Sequence, residues 1–183
     1  MEFVHPIKEI DQINQIKQLL FHHSKRDYVF FTVGINTGLR LNDLLHLKVS
    51  HVWDGQQMKD FIFLRDTDPP YYLNHNIKNA TKSYLECNNL QMDHYLFKSQ
   101  KSELPITRQQ AYRIINHAAK EIGITENVGT HTLRKTFGYH AYKKGVAISL
   151  LQKILHHSST LETLEYLGIE KEEDTLIQID VNL

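Results

Sequence analysis

The chain has 183 residues, a formal net charge of zero and ordinary fractions of apolar and charged side chains, as expected for one soluble globular domain. The single cysteine, Cys87, excludes a disulfide framework and a cysteine zinc cluster, and it is consistent with a reducing cytoplasm. No apolar run approaches the roughly 20 residues that a membrane-spanning helix needs, and the N-terminal sequence lacks the features of a signal peptide.

Charge is unevenly distributed along the chain. Residues 98–153 contain 10 Lys and Arg against 3 Asp and Glu, whereas residues 154–183 contain 1 against 7. A basic segment can simply be a solvated face, but this one leaves an anionic polymer open as a partner. Two pairs of adjacent histidines also occur, and because neighbours on a helix point about 100° apart, we predict no metal site from them.

The first half of the chain is expected to be helical around one hairpin. Apolar spacing predicts an amphipathic helix over residues 9–21, and "DYVFFTVGIN" reads as a buried helix that ends where Gly38 permits a turn. "LNDLLHL" predicts a short helix. "FIFL" is the best strand candidate, "DTDPP" interrupts it, and "YYLN" could return antiparallel. "IKNATKSYLECN" is again typical of a helix.

Residues 88–106 have the composition of a loop. Thr107 and Gln110 then form a capping box that predicts a helix extending to about Ile122. "HTLRKTFGYHAYKK" predicts a helix closed by Gly145, and "ISLLQKIL" predicts another.

Ser159 and Glu162 predict a second capping box before "LETLEYLG", whereas the tail "DTLIQIDVNL" is too short to classify. The fold class expected from these elements is α+β, mostly helical, with a small antiparallel sheet and a single domain over residues 1–183.

The stretch "GTHTLRKTFGYH" carries the first functional signal. His131, Arg134 and Gly138 share one face of its helix, while Leu133 and Phe137 cover another face that can anchor the helix in the core. Helix N-termini favour anions, and a guanidinium adds a two-pronged donor suited to a phosphate. On this segment alone, a surface histidine and arginine without a function explain the pattern equally well.

Three more motifs stand in order around it. "TGLR" contains Arg40, "LHHSS" contains His157, and "TLEYLGI" contains Tyr166 nine residues beyond His157. Each motif is weak alone, but the ordered set with its "HxLRxTF" box resembles the catalytic domain of the tyrosine recombinase (phage integrase) family. The resemblance covers the chain from about Gly34 to Ile169.

The resemblance implies a role for each matching residue. Arg40 and Arg134 would clamp the non-bridging oxygens of a scissile DNA phosphate. Tyr166 would attack phosphorus, forming a 3′-phosphotyrosyl link and freeing a 5′-hydroxyl. His131 would accept the tyrosine proton or donate a hydrogen bond to the phosphate, and His157 would donate to the phosphate.

Asp43 stands where the family often has an acidic residue that supports the site. Simpler interpretations also exist: Arg40 could pair with Asp43, His157 could cap a helix, and Tyr166 could be a core tyrosine. Two arginines and two imidazoles can stabilise a phosphoryl transition state without a metal, and rejoining through a stored phosphotyrosyl bond needs no ATP. We therefore expect no cofactor.

Three features depart from the family pattern. The family usually has a lysine in the hairpin turn that protonates the departing 5′-oxygen, but "FIFLRDTDPPYYLN" has none; Arg65 flanks the turn and Lys59 precedes the strand. His156 replaces the usual glycine before the second histidine. The usual N-terminal helical domain is also not expected, so the chain would be either a minimal recombinase or a fragment.

The sequence therefore predicts a site-specific recombinase or integrase of mobile-element type that binds double-stranded DNA. The alternative is a catalytically impaired DNA-binding relative that acts as an accessory factor at recombination sites, and a third hypothesis is a metal-dependent hydrolase. Residues 170–183 are expected to avoid DNA and either to link protomers on DNA or to pack on their own domain. The cations expected to contact DNA are Arg108, Arg113, Lys135, Lys143, Lys144 and Lys153.

Overall fold

The computed structural model describes residues 4–66 and 68–169. They form helices and one small antiparallel sheet, so the predicted fold class, mostly helical α+β, is confirmed. The helices are α1 (Ile10–His23), α2 (Lys25–Thr37), α3 (Leu41–Leu45), α4 (Val49–Val52), α5 (His75–Glu86), α6 (Arg108–Glu121), α7 (Thr130–Lys143), α8 (Ile148–Leu155) and α9 (Thr160–Leu167). The strands are β1 (Phe61–Ile62) and β2 (Tyr71–Tyr72), with Phe61 opposite Tyr72 and Ile62 opposite Tyr71.

The hairpin is shorter than the sequence predicts. Strand pairing covers two residues on each side, because Pro69 and Pro70 have no N–H with which to extend the ladder. The expected helix in "LNDLLHL" ends at Leu45, and a separate helical turn, α4, follows it. Residues 88–106 contain no helix or paired strand, as predicted for a loop, although Lys48 and Tyr95 form an isolated bridge.

Helix α2 is the central element of the core. It packs against α1, α5 and α7, and Phe30 and Phe31 are fully buried, which confirms the prediction of a buried helix. The helix ends at Gly38, whose φ of 65° places it in the left-handed region that glycine adopts without steric cost. The next residues begin α3, so this turn fixes the direction in which Arg40 leaves the core.

A second apolar cluster joins α7, α8 and α9. Leu151, Leu155 and Leu167 are its buried members. A Cβ at position 138 would lie 2.5 Å from Leu167 Cδ2, so α9 approaches α7 this closely because Gly138 has no side chain. The sequence-based expectation that Gly138 permits close packing is confirmed.

The two predicted capping boxes have different outcomes. Thr107 Oγ1 accepts from the Gln110 N–H at 3.2 Å, and Gln110 Oε1 accepts from the Thr107 N–H at 2.8 Å, which completes the first box. Ser159 Oγ accepts from the Glu162 N–H at 3.1 Å, but the Glu162 carboxylate binds the N–H and Oγ of Ser158 instead of returning to Ser159. The second box is therefore only half formed.

The part of the chain that the structure describes has no helix long and apolar enough to cross a membrane. Within the same residues, no group of three His, Cys, Asp or Glu side chains is arranged to hold a metal ion. The predicted exchanging tail, residues 170–183, lies outside the described residues.

We predict that Gly38→Ala lowers the free energy of unfolding by about 2–5 kcal/mol. A side chain there must adopt a left-handed backbone, which costs about 1–2 kcal/mol, and its Cβ would overlap the Phe137 ring, which adds a packing cost of about 1–3 kcal/mol. Gly145→Ala is the matched control, because Gly145 also has a positive φ but nothing lies within 4 Å of a Cβ built there. Urea unfolding of both variants measures the difference, and equal losses would contradict the close packing at Gly38.

Candidate active site

Arg134 is anchored by the backbone of two other segments. Its side chain is 7% exposed, its Nη1 donates to the Gly38 carbonyl, and its Nη2 donates to the Ile154 carbonyl at 3.2 Å. Burial lowers the pKa of the guanidinium, but an arginine remains protonated at neutral pH. The buried cation therefore connects α7 with the α2–α3 turn and the end of α8.

Arg40 lies two residues beyond the carbonyl that Arg134 binds. It is the N-cap of α3, with an extended backbone, and its side chain is exposed. Its positive charge contributes to the lowered pKa of Arg134, so the two predicted clamp residues lie near each other. One guanidinium is fixed in the protein and the other faces solvent beside it.

Asp43, the predicted supporting residue, is paired with the hairpin rather than with Arg40. Arg65 Nη2 donates to Asp43 Oδ1 at 2.6 Å, and Arg65 Nη1 donates to Asp68 Oδ2 at 2.8 Å. The alternative that Asp43 serves as the ion-pair partner of Arg40 is wrong, because Arg65 takes that position. We call these three residues, Asp43, Arg65 and Asp68, the hairpin clasp, since they hold the turn against α3.

The hairpin turn presents a carboxylate, Asp68, and contains no lysine. Arg65 is the main cause of the lowered pKa of Asp68, with smaller effects from His156 and Arg40, so this carboxylate is ionised at neutral pH and lies near Arg40. Lys59 Nζ instead donates to the Ser50 carbonyl at 2.7 Å, which directs it toward α4.

His131 occupies the first turn of α7, as predicted, and is largely exposed. Partial burial of its ring, followed by the charges of Arg108, Lys135 and Arg134, lowers its pKa. Its imidazole is therefore neutral at neutral pH, a state that can accept a proton.

His157 lies between α8 and α9, and its ring contacts both Thr163 and Tyr166. Nδ1 is 3.1 Å from Thr163 Oγ1, while that hydroxyl donates to the Ser159 carbonyl at 3.0 Å. Because the hydroxyl proton is used on Ser159, Nδ1 is the donor, and in the neutral ring Nε2 is an acceptor. Burial is the main cause of the lowered pKa of His157.

Tyr166 is half-buried on α9 against α7. Its ring packs edge-on against His157, with the centroids 4.8 Å apart, and Lys135 Nζ lies 4.9 Å from the Tyr166 centroid. Burial raises the pKa of the phenol, and the positive charge of Arg134 opposes that effect. The structure thus brings Arg134, His157 and Tyr166 together, with Arg40 and His131 beside Arg134.

The predicted DNA-binding cations are not on one surface. Lys135 is only 5% exposed, which is a correction to its expected place among exposed phosphate contacts. Arg108 lies near His131, whereas Arg113 lines a cavity of about 340 Å³ together with Asp27. The remaining three predicted contacts are exposed, at the C-terminal end of α7 and on α8: Lys143, Lys144 and Lys153.

The backbone at His156 has a conformation that glycine adopts more readily than other residues. His156 caps α8 with φ 56° and ψ 42°, and among the described residues it is the one non-glycine with positive φ. Its place at a helix end suggests from sequence alone that the replacement is harmless. The left-handed conformation instead makes it a strained position directly before His157.

Comparison with known proteins identifies the family. The model of the phage integrase family matches residues 6–173, and the chain therefore belongs to that family. A probable integrase/recombinase of Bacillus subtilis, YoeC, is 42% identical over 177 residues, which cover 96% of this chain and 94% of YoeC. The tyrosine recombinase XerD of Oceanobacillus iheyensis is 28% identical over 89% of this chain, but the match spans only 56% of XerD.

Solved structures agree with this assignment. A crystal structure of XerA recombinase superposes with a TM-score of 0.76 at 26% identity, over 92% of this chain and 60% of XerA. XerH bound to a palindromic difH substrate in a post-cleavage complex has the same fold, with a TM-score of 0.71 at 20% identity over 93% of this chain and 50% of XerH. Membership in this family of integrases and tyrosine recombinases supports a general role in site-specific DNA recombination.

We predict that His156→Gly raises the free energy of unfolding by about 1 kcal/mol, because it removes the cost of a left-handed non-glycine residue. His46→Gly is the control: His46 also caps a helix, α3, but its φ is −90°, so glycine there should destabilise the protein. Thermal unfolding of both variants gives the comparison, and a loss of stability in His156→Gly would show that the histidine makes a compensating contact.

Proposed function

We propose that this protein is a site-specific DNA recombinase that cleaves and rejoins double-stranded DNA through a 3′-phosphotyrosyl intermediate on Tyr166. The observation that carries the proposal is the packing of the Tyr166 ring against His157 beside the buried cation Arg134. A tyrosine next to two groups that can bind a phosphate is the arrangement that nucleophilic attack on a phosphodiester needs.

The cations stabilise the negative charge that develops on the phosphate oxygens. Arg40 is exposed and free to move toward a phosphate, whereas Arg134 supplies a fixed positive charge whose position two carbonyls define. A fixed cation needs no reorganisation as negative charge grows on the phosphoryl oxygens, which favours the transition state over the bound substrate. A phosphate would also favour the imidazolium form of His157, whose Nε2 then becomes a donor.

Proton transfer at the nucleophile is assigned to His131. Burial raises the pKa of Tyr166, so its phenol is protonated at neutral pH and must lose a proton as it attacks. The neutral imidazole of His131 can take that proton, directly or through water. The Oη–P bond forms, the P–O5′ bond breaks, and the 5′-oxygen leaves as a hydroxyl after taking a proton from solvent water.

DNA binding is assigned to four exposed cations: Arg108 near His131, Lys143 and Lys144 at the C-terminal end of α7, and Lys153 on α8. Arg113 remains a weaker candidate because it lies beside α1 and α2. Self-association on DNA through residues 170–183 is part of the proposal, since the apolar positions of that tail need a protein surface to cover them.

The hairpin supports a second candidate function, that of a catalytically impaired DNA-binding relative. The turn has no lysine to protonate the leaving oxygen, Arg65 is a poor acid, and Asp68 adds a negative charge near Arg40. Such a protein would bind recombination sites without completing cleavage. The two candidates differ in whether a covalent DNA adduct forms.

A selection from randomised DNA tests the proposed function, because it requires no chosen target sequence. The protein is incubated with nicked duplexes that carry a randomised core, and denaturation-resistant protein–DNA adducts are recovered and amplified. We expect wild type to enrich a sequence family and Tyr166→Phe to yield no adduct, since the phenol oxygen is the bonding atom. If wild type and Tyr166→Phe yield the same amount of adduct DNA with no enriched sequence, the recombinase proposal fails. Sequence-specific binding without adducts would favour the accessory-factor candidate.

The missing lysine leads to a prediction about the leaving group. An alkoxide has a conjugate-acid pKa near that of water, roughly 15–16, whereas a thiolate with a value of about 8–9 leaves without a proton. Replacing the bridging 5′-oxygen of a selected duplex by sulfur should therefore speed single-turnover cleavage about 10²- to 10⁴-fold, the usual contribution of a positioned acid. Asp66→Lys should accelerate cleavage of the oxygen substrate and leave the sulfur substrate unchanged. Equal wild-type rates on both substrates would mean that another group already supplies the proton.

A further inference from the structure

Lys135 is a buried cation that faces the proposed nucleophile. It follows Arg134 on α7, is 5% exposed, and has its Nζ 4.9 Å from the centroid of the Tyr166 ring. An ammonium within about 6 Å of an aromatic face is attracted by the ring quadrupole, and the attraction is strongest where water is excluded. Burial also lowers the pKa of Lys135.

Two adjacent residues of α9 pack against the same face of α7. Tyr166 lies on Lys135, and Leu167 fills the space that Gly138 leaves open. Positions 135 and 138 are three apart and therefore share a helix face. The His157 ring contacts Tyr166 as well, so the phenol ring is held by contacts from both α7 and the α8–α9 turn.

The buried ammonium of Lys135 lies against an aromatic ring. An unbranched apolar side chain would fill the same space without desolvating an ammonium, so packing alone does not require lysine. A phenol that ionises during attack gains from a cation above its ring, and Arg134 and Lys135 together place two positive charges beside it. Because Lys135 is buried, it is not one of the exposed cations that DNA can contact.

We propose that Lys135 is a positioning residue for cleavage, which holds the Tyr166 ring by a cation–π contact in the orientation from which the phenol attacks. This inference rests on the proposed function. Lys135 acts on the nucleophile through its ring and does not contact the DNA phosphate.

The test compares the uncharged variants Lys135→Met and Lys135→Gln with Lys135→Arg, which keeps a cation. Lys48→Met is the matched control, because Lys48 makes the same kind of contact, 5.9 Å from the Tyr95 ring centroid, outside the site. Each protein is measured by single-turnover cleavage at saturating concentrations of the selected nicked duplex, by its affinity for that duplex, and by the ¹⁹F signal of 3-fluorotyrosine placed at position 166 in the free protein.

The two uncharged variants should cleave about 5- to 30-fold more slowly, the loss expected for a desolvated cation–π contact, with affinity for the duplex unchanged. Lys135→Arg should recover most of the rate, and Lys48→Met should match wild type. The ¹⁹F signal should shift in the uncharged variants and return toward its wild-type position in Lys135→Arg. Because two uncharged variants of different shape are used, a folding defect in one leaves the other as the test.

Several results would overturn the inference. An unchanged rate in a folded uncharged variant would show that Lys135 has no positioning role. An unchanged ¹⁹F signal would show that Lys135 does not contact the Tyr166 ring. Weaker binding with a normal rate at saturation would make Lys135 a DNA contact. If wild type itself forms no Tyr166-dependent adduct, the proposed function fails instead, while the ¹⁹F comparison still decides whether Lys135 holds the ring.

Discussion

The position of Arg134 is the constraint on which the site depends. Its guanidinium binds one carbonyl in the turn after α2 and another near the end of α8, so three separate segments meet at one buried cation. Removing it would leave two carbonyls without their donor and would release the turn that carries Arg40. The same hydrogen bonds that stabilise the fold therefore set the distance between the two arginines, and a stability defect and a defect at the site would be inseparable here.

Close packing of α9 against α7 also fixes the position of Tyr166. Gly138 allows α9 to approach α7, and the approach brings Leu167 into the apolar cluster and the Tyr166 ring onto Lys135 and His157. Tyr166, the proposed nucleophile, is consequently a packed side chain whose pKa is raised by burial. In the proposed function, its reactivity comes from the neighbouring cations and a neutral imidazole.

The hairpin turn of this chain contains no lysine, and its charged side chains pair with one another. In place of a turn with a free lysine, the hairpin clasp joins Arg65 to carboxylates on both sides and fixes the turn against the start of α3. The clasp combines one positive charge with two negative charges and therefore stays negative, and Asp68 lies near Arg40. A recombinase built this way must stabilise the leaving oxygen differently, and an accessory DNA-binding protein would not need to. Chemistry at this turn therefore distinguishes the two candidate functions.

The sequence by itself determined the longer helices, the place of the hairpin and the order of the functional motifs, because caps, glycine turns and apolar periodicity are local signals. The first capping box at Thr107 and the end of α2 at Gly38 both agree with those signals. Only the tertiary structure decided which partners the charged side chains bind and which of them are buried. Arg134 finds its carbonyl partner 96 residues away, and Arg65 finds Asp43 22 residues away, so neither contact has a local signature. Lys135 has the sequence context of another exposed cation in a basic segment, and its burial follows from the approach of α9, a contact that periodicity cannot encode.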